Sequence, residues 1–296
     1  MQDIVQNYDV GYSDETTVQV LKEKARSPQS KSYMWCFGGG PPEQFCYLFH
    51  YHVSRGHEVP LDYLEDFKGY LHCDGFRAYD TLSSKTGVTL VGCWYHMRRK
   101  YVEAAKVGQH PVLANWVIDK IKLLSIIEKY CLDRKLSPDE IKEYRLKNSL
   151  PIIEEIKLWL DEKVLTVLPK SLLGGAIQYS LNQWSKLINF LMDGRLEISN
   201  NSMERIIKGF ATGRKNWLFS NSVEGAKAAA TLYSLMETAK HHKLHPYAYF
   251  AHVLQQIPYC HTVENLEELL PFNIDKKMLA PLMPKIRGKT ANTENI

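Results

Sequence analysis

At 296 residues, with 45% hydrophobic and 24% charged side chains, the chain carries enough apolar material for a sizeable core, which excludes a disordered or fibrous protein. Its length exceeds one typical domain and falls short of three, so a core unit with an insertion, or two units, is expected. A formal net charge of +4 permits binding to a polyanion without demanding it. No apolar run approaches the roughly 18 residues of a membrane span, and the N-terminus lacks a basic-then-apolar export signal. The six cysteines at 36, 46, 73, 93, 131 and 260 include no Cys-x-x-Cys pair and read as reduced thiols of a cytoplasmic protein.

From Tyr12, the run SDETTVQVL has β-branched residues at Thr16, Thr17, Val18 and Val20 and is predicted as a strand with Asp14 at its start. SYMWCF, ended by Gly38-Gly39-Gly40-Pro41-Pro42, and FCYLFHYHV follow as second and third strands of an antiparallel meander. His50 and His52 share a face of the third, as on any half-exposed strand. The pattern then alternates. Leu61, Leu64 and Phe67 fall at helical spacing; GYLHCD is a fourth strand ending at Asp74; Phe76 to about Ser84 is a helix; VTLVGCW is a fifth strand; and a helix from near Tyr95 carries Arg98, Arg99 and Lys100. Between about Gly108 and Asp193 only amphipathic helical stretches occur, with Ser137-Pro138-Asp139-Glu140 as a helix start and Pro151 as a break.

The most heavily charged segment is NNSMERIIKGFATGRKNWLF, Asn200 to Phe219. Asn201 is predicted as the N-cap of a helix to about Phe210, with Glu204 in its first turn, Gly209 and Gly213 bracketing a turn, and Trp217, Leu218 and Phe219 as a buried anchor. Helices over SVEGAKAAATLYSLMETAKHHKL, PYAYFAHVLQQI and Glu264 to Leu270 come next. A basic tail from Lys276, with Pro281, Pro284 and Gly288, is expected to end in disorder.

Three acids stand at comparable places: Asp14 on the first strand, Asp74 at the end of the fourth, and Glu204 on a helix after the fifth. Taken singly, each has an ordinary explanation. Glu204 completes a capping-box pattern with Asn201, Asp74-Gly75 is a turn dipeptide, and Asp14 competes with Glu15, which points to the other face. Together they suit two divalent cations serving an in-line phosphoryl displacement, and Mg²⁺, which takes few carboxylates, suits such a site. Cys93-x-x-His96 has metal-ligand spacing, but no second pair accompanies it, so zinc is not expected. Arg98, Arg99, Lys100, Arg205, Lys208, Arg214 and Lys215 are candidates for phosphate contacts, each with a solvated helix face as the plain alternative. Trp217 is a candidate for base stacking, with core packing the commoner role.

SDETTVQVL, LHCDGFRAY, VGCWYHMRRKY and the block from NNSMERII to HPYAY resemble the catalytic region of transposases of the insertion sequence 66 family, which belong to the DDE group. The resemblance implies an α/β, RNase H-like mixed sheet of five strands with flanking helices and an all-α insertion between the fifth strand and the Glu-bearing helix. It divides the chain into a split catalytic domain (1–107 and 195–243), a helical insertion (108–194) and a C-terminal part (244–296). It makes Asp14, Asp74 and Glu204 a catalytic triad holding two Mg²⁺ ions, with Mn²⁺ as the alternative. It also implies strand cleavage and strand transfer on double-stranded DNA, at terminal inverted repeats and target, by a homo-oligomer with accessory proteins of the same element. Family members usually carry a long zinc-binding and DNA-recognition region before the first catalytic strand, whereas here only Met1 to Gly11 precede it, so unaided recognition of element ends is not expected. A nuclease without strand transfer, or a non-catalytic DNA-binding relic, are the alternatives.

Overall fold

The structure is a computed structural model that describes residues 1–84, 87–108 and 110–284. After a short helix α1 (Gln2–Gln6), the meander forms as expected: β1 (Val10–Lys22), β2 (Lys31–Gly39) and β3 (Cys46–His52) pair antiparallel in sequence order. Strand β2 continues through Gly38 and Gly39 and ends only at Gly40, whose φ of +118° suits glycine. The chain then runs through α2 (Glu58–Tyr63), β4 (Gly69–His72), a 3₁₀ turn at Arg77–Tyr79, α3 (Asp80–Ser83) and β5 (Val88–Val91). The single helix expected from Phe76 to Ser84 is thus a 3₁₀ turn followed by one α-turn.

Helix α4 (Trp94–Val107) leads into α5 (Pro111–Asp133), α6 (Pro138–Asn148), α7 (Leu150–Lys163) and α8 (Leu172–Leu187). Ser137 and Glu140 form the reciprocal cap that their spacing implies, and Pro151 marks the break by sitting in the first turn of α7. The chain returns to the sheet through α9 (Asn201–Trp217), β6 (Ser220–Ser222) and α10 (Val223–His241). It finishes with α11 (Pro246–Gln256), α12 (Val263–Glu267) and α13 (Lys276–Leu279). The tail expected to be disordered lies, from residue 285, outside the described residues.

Among the described residues the sheet has six strands, not five. Its order is β3-β2-β1-β4-β5, with β6 parallel to the far end of β1, Val20 opposite Ser220 and Lys22 opposite Ser222. The sixth strand, three residues reading Ser-Asn-Ser, has none of the β-branched character by which strands are recognised. The strands after the meander, β4 and β5, run parallel to β1.

Alternation of side chains buries both faces of the sheet. Met34, Cys36, Tyr47, Phe49 and Tyr51 face a core shared with α4, the helical segment and α9, whereas Trp35, Phe37, Cys46 and Leu48 face a second core closed by Val59, Leu64 and Phe67. Strand β3 is an edge, and α10 covers it. Thr238 and Ser234, one helical turn apart, accept the amide N–H groups of Tyr47 at 3.0 Å and Phe49 at 2.7 Å. Those donors would otherwise offer a template for another strand.

Arg145 of α6 joins the helical segment to the return loop. Its guanidinium, 2% exposed, makes a two-pronged pair with Glu128 of α5 at 2.6 and 2.8 Å and donates to the carbonyls of Phe190, Asp193 and Leu196 at 2.8, 3.0 and 2.8 Å. Removing it strands a carboxylate and three carbonyls. Arg145→Met is therefore expected to destabilise by about 3–5 kcal/mol, and Arg145→Lys, which lacks the planar fork, by a substantial part of that. The shift in a urea denaturation midpoint measures both.

Candidate active site

Register brings the first two acids together. Tyr12 of β1 stands opposite His72 of the parallel neighbour β4, their rings stacked at 4.7 Å and 11°. Carried two residues further, the same register sets Asp14 alongside Asp74, where the chain leaves β4, and neighbouring strands are about 4.8 Å apart. Asp74 Oδ1 accepts the Phe76 amide at 2.8 Å, the turn that its Asp-Gly sequence suggests. A Cβ at Gly75 would lie 2.7 Å from the Tyr179 hydroxyl of α8, so the helical segment packs directly on this turn.

The loop entering α9 delivers Glu204. Ile198 O accepts the Trp94 amide at 3.1 Å, the Asn200 amide donates to Cys93 Sγ at 3.3 Å, and Asn200 Nδ2 donates to Ser13 O of β1 at 3.2 Å. Asn200, not Asn201, is the N-cap; its Nδ2 donates to β1, and its Oδ1 makes no cap bond. The capping box expected between Asn201 and Glu204 is absent. Close approach of α9 to the sheet is possible because β2 presents Gly38, where a Cβ would lie 2.8 Å from Met203 Cε. The Glu204 carboxylate consequently turns toward α4, with Oε1 3.4 Å from His96 Nε2 and Oε2 3.6 Å from Arg99 Nη2. Oε1 is buried and has no hydrogen-bond partner among the described residues, and the same holds for His96 Nδ1.

Electrostatics single out Asp14. Burial, then repulsion by Glu15 and Asp74, with a smaller push from Glu204, raise its carboxyl from 3.8 to about 8; only the Glu15 amide, donating to Oδ1 at 2.8 Å, opposes them. Glu15 is the committed neighbour. Its Oε1 accepts both Arg55 Nε at 2.8 Å and Arg55 Nη2 at 2.6 Å, and its Oε2 accepts the Tyr79 hydroxyl at 2.8 Å. Asp14 instead lines an open cleft of about 1240 Å³ together with His96, Glu204, Arg205 and Lys208.

The other sequence-derived cations divide by role. Arg205 and Lys208 are exposed on the cleft wall, Arg99 and Lys100 are exposed on α4, Arg98 is half-buried, and Lys215 is exposed at the end of α9. Arg214 donates to Thr17 O and, at 2.8 Å, to Thr17 Oγ1, so it fastens α9 to β1. Trp217 is half-buried and packs edge-on against Phe210 at 5.4 Å, inside an uninterrupted helix that runs seven residues past Phe210. Gly209 and Gly213 therefore lie within α9 rather than around a turn; a Cβ at Gly213 would meet the Tyr233 hydroxyl of α10 at 2.3 Å. Leu218 and Phe219, expected as an anchor, are 61% and 42% exposed.

Sequence reasoning missed that His96 and Arg99 face Glu204, although the Cys93-x-x-His96 spacing was a visible pointer to the start of α4. Among the described residues, one group of three metal-ligand side chains has its ligand atoms within 4.8 Å of one another: Cys93, His96 and Glu204.

Fold and site together define a mixed α/β protein whose cleft combines desolvated carboxylates with a basic wall. Its family follows from comparison with known proteins. Residues 1–228 match the family described as "Transposase IS66 family" and residues 234–272 the "IS66 C-terminal element". The chain belongs to the IS66 transposase family. It is 32% identical over 280 residues to the uncharacterized protein y4jD of Sinorhizobium fredii (strain NBRC 101917 / NGR234), covering 88% of this chain and 53% of that protein. It is 29% identical over 276 residues to y4qI of the same organism, covering 88% and 50%. The chain thus spans about half the length of the curated relatives it matches. No solved structure matches it, and no helix among the described residues is long and apolar enough to cross a membrane.

The Asp14 carboxyl makes stability depend on pH in a defined direction. Below 3.8 the proton is on in both folded and unfolded chains; between 3.8 and about 8 the unfolded chain ionises first, so stability falls as pH rises through this window. Asp14→Asn removes the penalty. Its Tm, by calorimetry without divalent ions, is expected to exceed that of the unsubstituted protein by on the order of 2–4 °C at about pH 9 and to converge with it toward about pH 4.

Proposed function

We propose that this chain is the catalytic region of a DDE-type transposase with an RNase H-like fold, which cleaves DNA strands at the ends of its element and transfers the freed 3′ ends into target DNA. The observation that carries the reading is the nearness of Asp14 to both Asp74 and Glu204, whose repulsion adds to burial in raising its carboxyl. An antiparallel meander followed by two parallel strands, with β1 central, supports the fold assignment. On this reading, residues 1–107 and 195–243 form one catalytic unit, 108–194 an inserted helical unit, and 244 onward a C-terminal element.

The donor set fits hard divalent cations. All three acids offer oxygen ligands, Asp14 is short of positive charge, and Glu204 Oε1 is a buried acceptor without a donor. Asp14 and Asp74 would hold Mg²⁺, or Mn²⁺, and Glu204 would complete a second position. Such ions, when bound, favour the attacking hydroxyl or water and stabilise the departing 3′ oxygen. The chain's own residues do the positioning. Arg205 and Lys208 on the cleft wall, Arg98, Arg99 and Lys100 on α4 and Lys215 at the far end of α9 neutralise backbone phosphates, Trp217 is available for stacking on a base, and Arg214 keeps α9 seated on β1. The substrate is double-stranded DNA, at terminal inverted repeats and target. A homo-oligomer assembled on that DNA in the cytoplasm, with accessory proteins of the same element, is the working form.

Glu204→Gln is expected to leave the fold intact and reduce Mg²⁺-dependent cleavage of a terminal-repeat duplex by at least about 100-fold. Cleavage at the normal rate would remove Glu204 from the mechanism. Branched, joined products in the same assay distinguish a transposase from an RNase H-like nuclease without strand transfer. Arg205→Ala and Lys208→Ala should each weaken DNA binding with little regard to sequence and reduce the slope of log K against log salt by about 1.

A further inference from the structure

The N-terminus of α4 holds a second constellation that the carboxylate chemistry does not use. Cys93 is the N-cap of this 14-residue helix, and His96, three residues on, lies in its first turn. Both are within 4.8 Å of Glu204 on the facing helix α9. The Cys93 sulfur accepts the Asn200 amide at 3.3 Å, and the backbone amides of Tyr95 and His96 also point at it. Burial outweighs these amides and raises the thiol above its ordinary value, so a cation binding there has to displace the thiol proton. Two buried atoms there make no hydrogen bond: His96 Nδ1, and Glu204 Oε1, which lies 3.4 Å from His96 Nε2. Buried polar atoms of a native protein are ordinarily satisfied, so two such atoms beside a thiol mark a place shaped for something that binds them.

We infer that Cys93, His96 and Glu204 form a binding site for one borderline-soft divalent cation of the zinc type, distinct in chemistry from the all-oxygen carboxylate set. One sulfur, one imidazole nitrogen and one carboxylate oxygen match the ligands of zinc, and a thiolate is a poor ligand for Mg²⁺. Bonds of about 2.0–2.3 Å place tetrahedral ligand atoms roughly 3.3–3.7 Å apart, so the three side chains need to close by about an ångström. Three protein ligands leave a fourth position open to water or to a phosphate oxygen from the cleft. Because Glu204 belongs to both sets, occupancy here withdraws its carboxylate from Asp14 and Asp74. That consequence alone rests on the transposase reading; binding of the cation does not.

Titration of the full chain with Co²⁺, a spectroscopic stand-in for zinc, tests the site without reference to DNA. The expected result is a stoichiometric complex showing thiolate-to-cobalt charge transfer and the d–d bands of a tetrahedral ion, both discharged by one equivalent of Zn²⁺. Cys93→Ser should abolish the charge-transfer band and weaken binding on the order of 100-fold. Serine is itself a favoured N-cap, so this variant keeps the helix start and is expected to fold. His96→Asn should weaken binding comparably while keeping the sulfur band, and Cys260→Ser, at the partly exposed thiol, should change nothing. Absence of the band, or its persistence in Cys93→Ser, overturns the inference. If the complex forms as described but Zn²⁺ leaves Mg²⁺-dependent cleavage untouched, the metal site stands and the shared role of Glu204 fails.

Discussion

The loop that delivers Glu204 to the cleft is held by a single buried guanidinium. Arg145 reaches from α6 across Glu128 to three successive stretches of the return loop, so the helical segment and the entry to α9 cannot move independently. From that fixed loop the remaining bonds follow in order. Trp94 holds Ile198, Cys93 and Ser13 hold Asn200, and one turn later Glu204 emerges beside Asp14. A carboxylate needed at one point in space is thus set by contacts to α4, α6 and β1 at once. Such over-determination lets a protein hold groups that repel one another.

Energetically the cleft is a compromise between what folds well and what binds. Glu15 shows the stabilising arrangement: a buried carboxylate given a bidentate arginine and a tyrosine hydroxyl. Asp14, its neighbour on the same strand, has only a backbone amide and the fields of three other acids. Sheet geometry makes this separation possible, since successive side chains leave a strand on opposite faces. One carboxylate therefore serves structure, and the next is held in readiness for positive charge from outside the chain.

Much of this architecture was legible in the sequence, for reasons that also explain what was not. β-branched and apolar runs bounded by Gly and Pro located β1 to β5, and the Asp-Gly dipeptide marked the turn at Asp74. Helix α9 was misread where local rules are overruled by packing. Glycine at 209 and 213 costs each helical position about 1 kcal/mol, yet Gly213 admits the Tyr233 ring and the helix runs on to Trp217. The capping pattern at Asn201 and Glu204 was sound local chemistry, but the tertiary bond from Asn200 to Ser13 moved the cap by one residue and freed the glutamate. Neither the contact of His96 and Arg99 with Glu204 nor the parallel pairing of β6 with β1 has a local signature. Both join residues about a hundred or more positions apart, and periodicity carries no information over that span.

That separation has a consequence for how the protein is made. Asp14 and Asp74 lie on a meander and its first parallel neighbour, whereas Glu204 follows only after the entire helical segment, and α10, which seals the β3 edge, comes later still. Because domains fold as they leave the ribosome, a nascent chain holds two acids and an unprotected edge strand throughout synthesis of the helical segment. A carboxylate cluster completed by α9 stays incomplete until the helical segment before it has been made. The same ordering leaves the edge strand open to wrong pairing until α10 is released.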